Sequence, residues 1–69
     1  MMRADLTDWR IYGFAPQERY CLMRHKRNRH ARYLDRHTGE WFGPEQSNVA
    51  PAVAWGLAHG IEGVATDVP

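Results

Sequence analysis

Apolar and polar positions alternate in short runs through the first two thirds of the chain, and the period then lengthens. Trp9 to Phe14, WRIYGF, is aromatic and β-branched, a mix that favours a strand. Ala15 to Glu18, APQE, reads as a turn around Pro16. Arg19 to His25, RYCLMRH, suits a second strand, with Tyr20 and Leu22 on one face and Cys21 and Met23 on the other. Lys26 to Arg29, KRNR, is a charged break in which Asn28 fits a turn. His30 to Arg36, HARYLDR, is a third strand segment. Alternation sets Arg32, Leu34 and Arg36 on one face, which reads as the more exposed, and Ala31, Tyr33 and Asp35 on the other.

The next residues, DRHTGEW, carry the sharpest local signal. Asp35 can accept from backbone N–H groups in the turn, and Gly39 can take the positive φ that closes a short hairpin. Trp41 and Phe42 begin the return strand, and Gly43–Pro44 is expected to end it. Asn48 fits an N-cap and Pro51 the first helical turn, so a helix is predicted to about His59, with Gly60 as a left-handed cap. Ala50, Val53, Ala54, Leu57 and Ala58 share one broad face, which places Val53 and Leu57 toward the sheet. Gly56 inside the helix costs about 1 kcal/mol relative to Ala and suggests another backbone passing close by. Residues 1–8 read as a loose start, and IEGVATDVP is apolar enough to dock.

The expected fold class is α+β: a small three-stranded antiparallel sheet with one C-terminal helix packed on one face, in a single domain spanning 1–69. One sheet face then lacks a second layer, so it must be polar or covered by a partner.

Composition supports a folded domain, with 43% hydrophobic residues, three Trp, three Tyr and two Phe in 69 residues. A chain this short has a thin stability margin. Cys21 is the one cysteine, which excludes an internal disulfide, fits a reducing compartment and reads as a small buried hydrophobe. No apolar run approaches the roughly 18 residues of a membrane span, and MMRADLTDWR lacks a leader-like apolar segment. The expectation is a cytoplasmic protein with no membrane partner.

Charge changes the picture. The chain carries a net charge of only +1, yet Arg24 to His37, RHKRNRHARYLDRH, holds Arg24, Lys26, Arg27, Arg29, Arg32 and Arg36 against Asp35 alone. His25, His30 and His37 fall in the same stretch, so lower pH makes it more positive. The histidine spacing, with His59 far away and no companion cysteines, matches no zinc pattern. The carboxylates are scattered, Ser47 sits in no nucleophile motif, and no glycine-rich phosphate loop is present. The chain is therefore expected to be non-enzymatic, with no cofactor and no metal.

Clustered arginines neutralise phosphates and gain affinity from counterion release. Arginine's planar fork suits phosphate and guanine edges. Tyr33 lies inside the run, where an aromatic can stack on a base. A two-stranded basic ribbon also fits the DNA major groove. The leading expectation is a nucleic-acid-binding module using Arg24, Lys26, Arg27, Arg29, Arg32, Tyr33 and Arg36. Charged hairpins also keep edge strands soluble. The segment from Arg19 to Gly60 resembles the layout of AP2-type and integrase amino-terminal DNA-binding domains, on the hairpin ARYLDRHTGEWFG and the alanine-rich helix APAVAWGLAHG. The resemblance implies a three-strand sheet that reads DNA, with Arg24, Arg27, Arg29, Arg32 and Arg36 facing it. Pro51 and Gly56 depart from that family's helix.

A second class is a small phage-like or mobile-element inhibitor, of the anti-CRISPR kind, which binds a host protein or nucleoprotein complex. Its basic lobe would meet nucleic acid or an acidic protein surface. Trp55 and His59, four apart on the helix, would supply a protein interface, and an exposed Trp55 would favour a homodimer or a host-protein partner.

Overall fold

The computed structural model describes residues 4–15, 19–61 and the backbone of 65–66. Four strands precede the helix: β1 (Trp9–Phe14), β2 (Tyr20–His25), β3 (Ala31–Asp35) and β4 (Glu40–Gln46). The helix α1 (Val49–Ala58) follows, and a two-residue strand β5 (Ala65–Thr66) closes the order β4-β3-β2-β1-β5, antiparallel throughout. The α+β class and the single helix agree with the sequence. The three-strand count does not: WRIYGF pairs into the sheet beside β2, with a bulge at Tyr12.

The hairpin from β3 to β4 forms as its residues dictate. The Asp35 carboxylate accepts from the N–H of His37 at 2.9 Å and of Thr38 at 3.4 Å, and Gly39 adopts φ 76°. β4 continues beyond Gly43–Pro44, contrary to the expected stop. Its register slips between Ala31↔Gln46 and Tyr33↔Phe42, so Gly43, Pro44 and Glu45 bulge opposite Arg32. β4 is the sheet edge, where Pro44 removes no ladder bond from an inner neighbour.

Asn48 caps α1 by accepting from the Val49 N–H at 2.8 Å, and Gly60 takes φ 84°. The packed face of α1 is rotated from the expected one. Val49, Ala52, Val53 and Gly56, spaced i, i+3, i+4, i+7, meet the sheet, whereas Leu57 is 58% exposed. Gly56 is required because Tyr33 fills the space beneath it, and Ala52 joins the same core. A Cβ on Gly56 would lie 2.3 Å from the Tyr33 hydroxyl oxygen, so a side chain, not a backbone, makes the close approach.

Two cores flank the sheet. On the helix side, Ala15, Leu22, Ala31, Tyr33, Ala52 and Ile61 are buried. On the other side, Cys21, Met23 and Leu34 are buried beneath Ala4, Trp9, Phe14 and Trp41. That second face is neither polar nor left open. Residues 4–8, which the sequence suggested were loose, are tied to both ends of it: the Ala4 N–H donates to the Gly39 carbonyl in the β3–β4 turn, and the Asp8 carbonyl accepts from the Lys26 N–H in the β2–β3 turn, both at 2.8 Å. Arg32 lies 5.2 Å from the Trp41 ring and Arg36 4.7 Å from the Phe14 ring, so cationic side chains lie over its aromatic rim.

Candidate nucleic-acid interface

The β1–β2 register sets the site. Trp9 pairs with His25, Arg10 with Arg24 and Ile11 with Met23. Leu22 is in the helix-side core, so Arg24, two residues on, points to that same face, and Arg10 stands directly opposite it. The helix packs on β3 and β4, which leaves this corner of the face beside it. Like charges directly opposite across an antiparallel pair are destabilising, by about 0.2–1 kcal/mol. Neither Arg10 nor Arg24 takes part in an ion pair among the described residues.

Arg24 is the more constrained of the two. Its guanidinium sits 5.8 Å from the Tyr12 ring centroid. Its Nε–H is shielded from solvent and has no hydrogen-bond partner among the described residues. A buried donor without an acceptor costs about 1–3 kcal/mol. An anion entering this corner would relieve the arginine–arginine repulsion.

The β2–β3 turn completes the cleft. The His25 Nδ1 accepts from the backbone N–H of Arg27 at 3.1 Å and of Asn28 at 3.3 Å. Asn28 Oδ1 accepts from the His30 N–H at 2.8 Å, and Arg29 adopts φ 64°, a left-handed conformation in a non-glycine residue. The turn thus swings Arg29 toward the arginine pair. Arg10, Arg24, His25, Lys26 and Arg29 enclose about 290 Å³. A second cleft of about 310 Å³ shares Arg10 and Arg24 and adds Ile11 and Tyr12. Each is near the small end of ligand-pocket volumes.

The cluster that is continuous in sequence is thus divided in space. Arg24, Lys26 and Arg29 line the cleft. Lys26 Nζ also donates to the Thr7 carbonyl at 3.0 Å, and Arg27 pairs with Asp8 at 3.1 Å. Arg32 and Arg36 belong to the opposite face, where Arg32 Nε donates to the Gly43 carbonyl at 2.7 Å. Tyr33 is only 2% exposed beneath Gly56, so it cannot stack on a base as its place among the arginines suggested. The basic stretch is not one surface because alternation sends successive strand residues to opposite faces.

The histidines are equally dispersed. His25 holds the turn, His30 meets Glu45, the His37 N–H donates to Asp35, and His59 stacks on Trp55 with ring centroids 4.0 Å apart. No group of three or more His, Cys, Asp or Glu converges among the described residues. Trp55 is partly buried, with ring centroids 5.8 Å from Phe42 and 6.1 Å from Tyr33. A Cβ on Gly43 would lie 2.2 Å from the Trp55 Cη2, so the β4 bulge makes room for the indole. Trp55 is covered by Phe42 and Gly43 of β4, and His59 stacks on its other side. No helix of the described residues is long and apolar enough to cross a membrane.

Arg10, Ile11 and Tyr12 are the site residues that sequence reading missed. Arg10 and Tyr12 alternate on β1 as Leu22 and Arg24 do on β2, which is the available signal. The bulge between Ile11 and Gly13 hid the pairing, because it shifts the register that a simple antiparallel count would give. No family model matches the chain, and no curated protein or solved structure matches it either.

Proposed function

We propose that this protein is a small non-enzymatic nucleic-acid-binding module that engages the phosphate backbone through Arg10, Arg24, Lys26 and Arg29. The supporting observation is the cross-strand Arg10–Arg24 pair, which keeps two like charges together with the Arg24 Nε–H unpartnered. Phosphate oxygens are the acceptors that such forked donors suit. The AP2-like order of strands and then helix is compatible with this role. The contact surface proposed here differs from the one that the resemblance implies, since it lies beside the helix and includes β1.

The test is fluorescence anisotropy with labelled oligonucleotides at low and physiological salt. Binding should weaken as salt rises, with a log–log slope of about −3 to −4 for four phosphate contacts. Arg10→Gln/Arg24→Gln should remove it, and Arg19→Gln, at the far end of β2, should leave it unchanged. An absence of binding at low salt would defeat the reading and direct attention to an acidic protein partner.

A further inference from the structure

We infer that Arg29 is an affinity-determining contact of the proposed interface and that His25 is its positioning residue, acting through the turn and not on the ligand. This rests on the nucleic-acid reading above and deepens it. The β2–β3 and β3–β4 turns share one hydrogen-bonding plan. In the β3–β4 turn, the Asp35 carboxylate accepts from the N–H groups two and three residues on. The Gly39 N–H donates to the Asp35 carbonyl at 2.8 Å, and Gly39 takes φ 76°. In the β2–β3 turn, the His25 Nδ1 accepts from the N–H groups two and three residues on. The Arg29 N–H donates to the His25 carbonyl at 3.2 Å, and Arg29 takes φ 64°. Arg29 thus stands where the sister turn has glycine, and His25 stands where it has a carboxylate.

Both differences favour a basic surface over an easy turn. A left-handed backbone suits glycine and is disfavoured for a residue with a Cβ. Arg29 is the one non-glycine residue with positive φ among the described residues. Such backbone outliers gather where a side chain must be held for function. The Arg29 side chain is exposed and joins no ion pair among the described residues, whereas Asp8 engages Arg27 and the Thr7 carbonyl engages Lys26. His25 supplies the turn's acceptor without a carboxylate, which would neutralise part of the cation cluster. It points away from Arg24, to the other face of β2, with its ring edge-on to Trp9 at 5.0 Å between centroids. Asn28 fastens the same turn by accepting from the His30 N–H at 2.8 Å. A cation fixed in place before its ligand arrives loses less freedom on binding, which raises affinity.

The experiment measures anisotropy of a short labelled oligonucleotide across a salt series, with thermal melts of each variant alongside. Arg29→Gly should melt at or above the wild-type Tm, since glycine suits the backbone there. It should nevertheless weaken binding about tenfold at low salt and reduce the log–log salt slope by about one. His25→Phe keeps a ring against Trp9 but has no acceptor, and it should lose affinity and slope in the same sense. His25→Asn carries a side-chain oxygen that can accept from the same N–H groups, and it should restore most of both. In the Arg29→Gly background, His25→Phe should cost nothing further, because the contact it positions is gone. Unchanged affinity and slope in Arg29→Gly, with Arg10→Gln/Arg24→Gln still damaging, would overturn this inference and leave the phosphate reading standing. A His25→Phe loss that adds in full to that of Arg29→Gly would overturn the positioning role. Failure of the wild type to bind at low salt would overturn both readings.

Discussion

The Tyr33 hydroxyl oxygen lies 2.3 Å from where a Cβ on Gly56 would stand, with the ring's Cζ at 2.7 Å. The most buried aromatic of the sheet thus rests against the helix backbone, and the helix tolerates a poor helix-former there to admit it. Gly56→Ala should gain about 1 kcal/mol in helix propensity and lose more by overpacking, about 1–3 kcal/mol. A net fall in urea midpoint and Tm is expected. Tyr33→Phe in the same background should return part of the loss, because it removes the atom in closest conflict. A more stable Gly56→Ala variant would show that Tyr33 can move aside.

Acid should weaken the fold through Asp35. Burial pushes its carboxyl up, but the His37 N–H, the Arg19 side chain and the Thr38 N–H outweigh that and hold it below the ordinary carboxylate range. A carboxyl depressed in the folded state stabilises above its unfolded value, about 3.9, and that stability is lost as pH falls through the folded value. Denaturant midpoints should therefore decline below about pH 5. Asp35→Asn should be less stable at pH 7 and show a flatter acid limb. Arg19→Gln should have the smaller effect, since its side chain is 48% exposed and the pair is screened.

Cys21 should be chemically silent in the native protein. It is 1% exposed, its Sγ lies 3.6 Å from Met23 Sδ, and burial pushes the thiol above its ordinary value. Burial likewise pushes the Tyr33 phenol up. Groups raised in the folded state keep their full contribution below the unfolded value and lose it as pH climbs through the folded one. Thiol-reagent kinetics at pH 8 should be slow without denaturant and accelerate across the urea transition, and stability should decline above about pH 9, near where an unfolded cysteine ionises. Rapid labelling of the folded protein would contradict the buried placement.

Stability and binding should trade against each other at the β1–β2 corner. Arg10→Gln removes one of two facing like charges, so at low salt it should raise stability by about 0.2–1 kcal/mol. The same change should weaken oligonucleotide binding. High salt should shrink the stability gain, because exposed charges are screened. A variant that lost both stability and binding would mean that Arg10 supports the fold rather than the ligand.

Much of the fold was legible because it follows from local chemistry. Asp35 and Gly39 fix the hairpin, Asn48 and Gly60 bound the helix, and strand alternation groups Ala31 with Tyr33 and Arg32 with Leu34 without reference to distant residues. The rotation of α1 was not legible, because the face that packs is chosen by what lies beneath it. Tyr33 requires Gly56, and the Gly43 bulge accepts Trp55, while Leu57 is turned outward. The site divides the same way. The sequence by itself determined that positive charge gathers between Arg24 and Arg36, since charge is a property of residue type. Only the tertiary structure decided which charges stand together: β-pleating sent Arg32 and Arg36 to the aromatic face, the N-terminal segment engaged Arg27 through Asp8, and the β1 bulge set Arg10 opposite Arg24. Cross-strand register depends on one inserted residue far away in the chain, and no local pattern within the basic stretch encodes it.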